Sequence, residues 1–360
     1  MRVAPTILLA LGFTLRALAA GRDAPHLQSP QKSTAPTIQV YSRETIVDVV
    51  ATGKDGQPVH GLSAADFAVE EDGRPQSIRS FAEIGPGAQQ PVQQDPMLAA
   101  GVNSNLQAAA SGPVNIILID ALNTAPPQMT IFKKQMIGYL RTMPKGTRVA
   151  IFALSASKGG RLVQGVTTDG ATAAASLATI DAEWNRPPAI RRDATRAMML
   201  QIVGYVSSIK GRKNLLWCTA RMPLYLLRDG GYAWMRPPQR SQVDQNMDLF
   251  DAMTAAQIAI SPVSLKGVGG LGLNELLAEA VAEGTGGTAE YNSNDFGSLV
   301  AKAIDSDRSY YTLSYVPPSF PMDTRYHTIR VKVDQPGVSL VYRKGFNAEQ
   351  VGQEELNSRP

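Results

Sequence analysis

The apolar positions of this 360-residue chain change their period twice. Between Ile38 and Ile84 they alternate with polar neighbours in short runs, the pattern of strands buried on one face. Ile46-Val47-Asp48-Val49-Val50 is one such run, and the turn-forming Lys54-Asp55-Gly56-Gln57-Pro58 follows it. Phe67-Ala68-Val69 and Ile78-Arg79-Ser80-Phe81 flank Asp72-Gly73, a dipeptide suited to the positive φ angles of a tight hairpin, so these two runs are expected to pair. From 85 to 112 large apolar side chains give way to Gln, Pro, Ala, Asn and Gly. Such a stretch buries too little surface to offset its ordering entropy and reads as a linker.

From 113 to 306 strands alternate with helices. Val114 to Ile119 is a continuous apolar run, as expected of a strand covered on both faces. Met129, Phe132, Met136, Leu140 and Met143 recur at helical spacing. Val149 to Ala153 is a second strand, and Arg161-Leu162-Val163 a short edge strand. A helix capped by Asp193 runs through Met199, Ile202, Val203, Val206 and Ile209, and the strand Asn214 to Cys218 follows. Next come a helix near Leu249 to Ala256, a strand from Ile258 to Val263, and a helix from Leu276 to Val281 stopped by Gly284. The last helix, Phe296 to Ile304, is capped by Asn294 or Asp295. This order predicts an α/β fold, a mostly parallel sheet with helices on both faces. From 307 to 346 the alternation returns, in Tyr311, Leu313 and Tyr315, in Ile329, Val331 and Val333, and in Val338 to Tyr342; a tail occupies 347–360. The β units at 38–84 and 307–346 can bury their apolar faces by packing together as a shared sandwich.

The first twenty residues have another logic. Arg2 precedes the apolar run Val3 to Leu15, and Ala17-Leu18-Ala19 offers small residues where a signal peptidase reads them. Residues 1–20 are therefore expected to be a signal peptide, with an ordinary N-terminal helix as the alternative that Arg16 favours. No later segment is long and apolar enough to span a bilayer as a helix. The expected destination is the periplasm or the exterior. With 44% hydrophobic and 18% charged residues the balance is globular, and a net charge of +4 spread without a basic stripe argues against nucleic acid as a partner. The single cysteine, Cys218, rules out an intrachain disulfide and a thiolate metal cluster, and its apolar setting reads as a small buried filler.

Open α/β sheets bind ligands at the carboxyl ends of their strands. The first strand here ends in Asp120-Ala121-Leu122-Asn123-Thr124, a carboxylate followed by a hydroxyl that could share a hard cation. This resembles the metal-ion-dependent adhesion site of von Willebrand factor A-type (VWA) domains, with Asp120 at the carboxylate position and Thr124 at the second hydroxyl. Leu122 stands where the first hydroxyl belongs. The resemblance also implies a loop threonine, for which Thr168 in Thr167-Thr168-Asp169 is the candidate, and an aspartate after the fourth strand, where Ala220 stands beside Arg221. A cation there, Mg²⁺ or Ca²⁺, would be held weakly, and Asp120 is expected instead to cap the next helix or to accept from Arg221.

The layout as a whole is similar to the VWFA-related family common in Acidobacteria. The similarity is carried by Gly61-Leu62-Ser63-Ala64-Ala65-Asp66-Phe67, Glu71-Asp72-Gly73-Arg74-Pro75-Gln76, Gly211-Arg212-Lys213-Asn214-Leu215, Gly284-Thr285-Gly286-Gly287 and Tyr310-Tyr311-Thr312-Leu313-Ser314-Tyr315. It implies a VWA-like, Rossmann-type architecture and export, and leaves the activity open. The expected function is a protein-interaction module without enzymatic activity or cofactor, presenting Asp120, Asn123, Thr124, Thr219 and Arg221 to a protein partner.

Two alternatives stand beside it: an assembly subunit, or an enzyme using an unrecognised hydrolase site or a dinucleotide. Gly267-Val268-Gly269-Gly270-Leu271-Gly272 is a literal G-x-G-x-x-G, but it follows a late strand. The three histidines, His26, His60 and His327, are far apart in sequence. Glu275, Glu279 and Glu283 recur every four residues as a solvated helix face. The aromatic insert around Tyr232, Trp234, Met235 and Arg236 is a candidate partner contact or, equally, a plain surface excursion.

Overall fold

A computed structural model describes residues 44–86, 93–94, 112–155, 159–180, 188–222, 240–269, 272–317 and 326–347, all within the compact unit Ser42–Pro360. The segment expected to be a signal peptide, most of the linker, the aromatic insert and the tail beyond Asn347 lie outside them.

In chain order the elements are β1 (Thr45–Thr52), β2 (Phe67–Glu71), β3 (Arg74–Gln76), β4 (Ile78–Ile84), β5 (Gln93–Gln94), β6 (Val114–Asp120), α1 (Pro126–Thr142), β7 (Arg148–Ser155) and β8 (Gly159–Thr167). There follow α2 (Gly170–Leu177), α3 (Pro188–Val206), β9 (Lys213–Thr219), α4 (Arg240–Ala255), β10 (Ile258–Ser264), α5 (Leu273–Thr285) and α6 (Phe296–Ser306). The chain closes with β11 (Tyr310–Tyr315), β12 (Tyr326–Val333), β13 (Ser339–Val341) and β14 (Gly345–Asn347).

The middle of the chain is an α/β sheet in the order β10-β9-β6-β7-β8. Its first four strands are parallel, and β8 returns antiparallel along β7. Every residue of β6 is buried, because successive side chains feed two cores. Ile116 and Leu118 join Met198, Ile202, Leu249, Met253 and Val281 of α3, α4 and α5. Ile117 and Ile119 join Met129, Phe132, Met136 and Leu140 of α1 with residues of α2 and α6.

Three helix ends differ from expectation. Helix α3 starts at Pro188, a residue whose fixed φ suits a first turn, and Asp193 lies inside it with its side chain 73% exposed. Helix α5 runs through Gly284 and stops at Gly286, whose φ of 79° is left-handed and whose hypothetical Cβ would lie 2.6 Å from the Arg343 nitrogen. Helix α2 was not anticipated, since its small residues leave Leu177 as the one large buried side chain and make no stripe.

The β segments do form a shared sandwich. One sheet is ordered β13-β1-β11-β4-β5 and the other β14-β12-β2-β3. Both mix strands from the two ends of the chain, with Thr45 opposite Tyr315 in one and Phe67 opposite Val333 in the other. The rings of Phe67, Phe81 and Tyr311 pack at centroid distances of 5.4–5.8 Å between the sheets. Asp72 (φ 49°) and Gly73 (φ 75°) make the hairpin turn, but the partner of β2 is Arg74–Gln76 and not Ile78–Phe81. A two-residue turn starts pairing at once, at Glu71 opposite Arg74, so β4 is free to cross and lie against β11.

Candidate functional site

Strand β6 delivers Asp120 to the carboxyl edge of the parallel sheet, where the chain bends sharply. The Leu122 amide donates to Leu154 O at 3.1 Å, and its side chain turns down into the core instead of out to solvent. That bend brings Asn123 back over the Asp120 carboxylate. Asn123 N and Nδ2 donate to Oδ1 at 2.9 and 3.0 Å, Nδ2 also meets Oδ2 at 2.8 Å, and the indole Nε1 of Trp217 on β9 donates to Oδ2 at 3.0 Å. Asp120 does not cap α1, whose cap residue is Ala125. Burial pushes the Asp120 carboxyl up to about 6, while the hydrogen bonds from Asn123 and Trp217 pull the other way.

The rest of the cluster locks neighbouring loops together. Thr124 Oγ1 accepts from Ala220 N at 3.1 Å, and Thr219 Oγ1 bonds to the Arg221 backbone. Thr195, on the first turns of α3, accepts from Asn123 Nδ2 at 3.3 Å. Asn123 Oδ1 and Arg191 Nε are buried without a hydrogen-bond partner among the described residues. Burial first, and then the charge of Arg221, lower the pKa of Arg191, and the nearby Asp120 charge opposes them.

Of the residues expected to meet a partner, Asp120, Asn123 and Thr124 are 0% exposed and Thr219 is 1% exposed. These four are closed off from solvent; Arg221 alone of the five is exposed. Thr168 is exposed too, but in the wrong place. Strand β8 carries it back to the amino edge, where Thr167 pairs with Val149 while Asp120 pairs with Leu154. Five residues of strand separate the two, roughly 17 Å. There Thr167 and Asp169 cap α2, with Asp169 Oδ1 accepting from Ala171 N at 2.9 Å.

Asp120, Thr124 and Thr168 as arranged do not fit a divalent cation. Both Asp120 oxygens already accept two hydrogen bonds, Thr124 faces an amide, and Thr168 is at the other edge. Trp217, Thr195 and Arg191 escaped sequence reading. A tryptophan inside an apolar strand announces packing and not its N–H, and Thr195 reaches Asn123 across 72 residues.

The glycine loop is likewise occupied by its own neighbours. Val268 N donates to Asn294 Oδ1 and Gly269 N to Asn292 Oδ1, both at 3.3 Å, while Gly270 and Leu271 lie outside the described residues. At the start of α5, Glu275 Oε2 accepts from Gly272 N at 3.0 Å, and Oε1 lies 3.4 Å from Lys266 Nζ. Glu275 is thus a 3%-exposed cap and not part of a solvated face. Its carboxylate stands where a phosphate would have to bind, and like charges repel. Cys218 is fully buried, and burial pushes its thiol up, away from nucleophilic use.

No protein-family model matches the chain, and no curated protein matches it. Solved structures similar to it include an aerotolerance-related membrane protein from Bacteroides fragilis, at 12% identity over 54% of this chain and 99% of that one, with a TM-score of 0.37. A VWA domain of SpRpn10 is similar at 11% identity over 52% and 94% of the two chains, with a TM-score of 0.33. The manganese-loaded TRAP protein of Plasmodium vivax is similar at 9% identity over 65% and 94%, also with a TM-score of 0.33.

Proposed function

We propose that this chain is a non-enzymatic, VWA-like binding module, exported to the periplasm or the cell exterior, that reads an acidic side chain of a protein partner at the carboxyl edge of its parallel sheet. The observation that carries this reading is the Arg191 guanidinium, buried with its Nε unpaired beside the charge of Arg221. Two guanidinium groups meet a carboxylate with charge-assisted, bidentate hydrogen bonds, and a partner's Asp or Glu would add the hydrogen bonds that Asp120, which acts on Arg191 only through its charge, does not make. Asp120 is committed to Asn123 and Trp217.

The same edge also offers apolar contact. Ile190 on the first turn of α3, Val268 after β10 and Leu273 at the start of α5 are exposed large hydrophobics. Arg221 with such neighbours has the make-up of an anchoring patch. Export is supported by Arg2, the Val3 to Leu15 run and Ala17-Leu18-Ala19. Among the described residues, no helix is long and apolar enough to cross a membrane.

The test is fluorescence anisotropy of the full chain with a labelled Glu-rich peptide and its Gln-for-Glu counterpart. The expected result is saturable, salt-weakened binding of the acidic peptide only, lost by at least about tenfold in Arg221→Glu. Equal binding of the neutral peptide, or an unaffected Arg221→Glu, would sink the proposal.

A further inference from the structure

We propose that Glu71, Asp72 and His327 form a binding site for a divalent transition-metal ion of the zinc class, on the β2–β3 hairpin of the sandwich and independent of the sheet edge described above. Pairing of β12 with β2 brings the three together, although His327 is 255 residues from Asp72. Glu71 Oε1, Asp72 Oδ2 and His327 Nδ1 all lie within 4.8 Å of one another. The imidazole Nδ1 is 2.9 Å from Oδ2 and 3.6 Å from Oε1. A tetrahedral ion holding nitrogen and oxygen at about 2.0–2.1 Å sets neighbouring ligand atoms roughly 3.3 Å apart. The two measured edges bracket that value, so small side-chain adjustments admit the ion.

The surroundings hold these atoms in place. Asp72 Oδ1 accepts from Thr328 N at 2.8 Å and from Thr328 Oγ1 at 3.1 Å, which leaves Oδ2 facing the histidine. Glu71 Oε2 accepts from Tyr315 OH at 2.6 Å. Its Oε1 faces the imidazole at 3.6 Å, close enough for an ion pair and available as a ligand atom. The His327 ring stacks on Phe346 with centroids 5.4 Å apart, which fixes its plane. Hydrogen-bonded carboxylates around an oriented imidazole are the outer shell that metal sites use. The Asp72 side chain is 45% exposed, so one side stays open for a water or a partner's side chain as fourth ligand.

The experiment titrates the full chain with Zn²⁺ by calorimetry and with Co²⁺ by visible absorption, and follows the melting temperature. The expected result is one saturable equivalent, cobalt bands of low-coordinate type, and a raised melting temperature. Asp72→Asn keeps a residue that tolerates left-handed φ and keeps the acceptor for Thr328, so it preserves the turn. Asp72→Asn and His327→Gln should each weaken binding by at least about tenfold. His60→Ala, which removes the other histidine–carboxylate contact (Nδ1 to Glu83 Oε1, 2.6 Å), should leave it unchanged. No saturable binding, binding unaltered in Asp72→Asn, or loss only in His60→Ala overturns the proposal.

Discussion

Two buried carboxylates stand at opposite edges of the parallel sheet, Asp307 beneath it and Asp120 above it, and they are stabilised by different means. Asp307 receives Arg212 Nη2 at 3.0 and 3.1 Å, and the same nitrogen donates to Gly286 O at 2.6 Å. Burial raises its pKa, and the Arg212 charge opposes that rise. Asp120 is held by neutral donors, Asn123 and Trp217 first and Thr219 after them, and among the described residues the neighbouring Arg191 Nε has no hydrogen-bond partner. The lower pair is a joint: it ties the ends of α5 and α6 to the start of β9, and Tyr310 OH adds a contact from the sandwich at 3.4 Å. At the upper edge no salt bridge joins Asp120 to Arg191 among the described residues, although the Asp120 charge favours the Arg191 guanidinium. That contrast between a paired and an unpaired buried charge is what the variants below should break or sharpen.

The largest effect is expected at the joint. Arg212→Ala or Asp307→Ala leaves a buried charge alone and should destabilise by about 3–5 kcal/mol in denaturant unfolding. Replacing both with apolar residues should cost clearly less than the sum of the single changes, the sign of direct coupling.

Next comes the pH response of Asp120. Its folded pKa lies above the ordinary value of 3.8, so the folded state binds protons that the unfolded state releases. Its contribution to stability is fully present below pH 3.8, falls through the interval, and is lost above about 6. That interval corresponds to about 3 kcal/mol for a fully buried group. The difference in unfolding free energy between the wild type and Asp120→Asn should therefore change by that order between pH 4 and pH 7, with the wild type relatively weaker at pH 7. A flat difference would mean that the carboxylate is well solvated after all.

The smallest effect should come from Arg191→Met. Removing a guanidinium that lacks a carboxylate partner should shift stability by less than about 1 kcal/mol in either direction. Acidic-peptide binding should nevertheless fall, so stability and binding part company at this residue. A loss as large as at Arg212 would erase the distinction between the edges.

How far the sequence could be read depended on whether a signal was local. The β6 run was legible because a strand covered on both faces needs no polar residue. The sandwich could be anticipated because two alternating segments each had an apolar face to bury. Asp72-Gly73 announced its turn, yet not that Arg74 would begin the return strand. Asp193 looked like a cap because aspartate suits both a helix cap and an exposed helix side. Thr168 was misplaced because a linear reading does not show that β8 runs backward. Glu275 shares its spacing with Glu279 and Glu283, and spacing alone does not reveal that the first of them closes a helix end. The blocks at Gly211–Leu215 and Gly284–Gly287 turned out to build the joint, through Arg212 and Gly286.

The interleaved sandwich also has a kinetic side. Ser314 hydrogen-bonds to Glu44 across 270 residues, and β1 has its sheet neighbours in β11 and β13. Strand β1 therefore leaves the ribosome long before the strands it pairs with, and the α/β segment between them can collapse on its own cores first. Contacts this distant in sequence close slowly, because the loop entropy is lost before the pairing repays it. Until β11 arrives, the edges of β1 and β2 are open templates for other chains, the interval in which a holding chaperone would matter most.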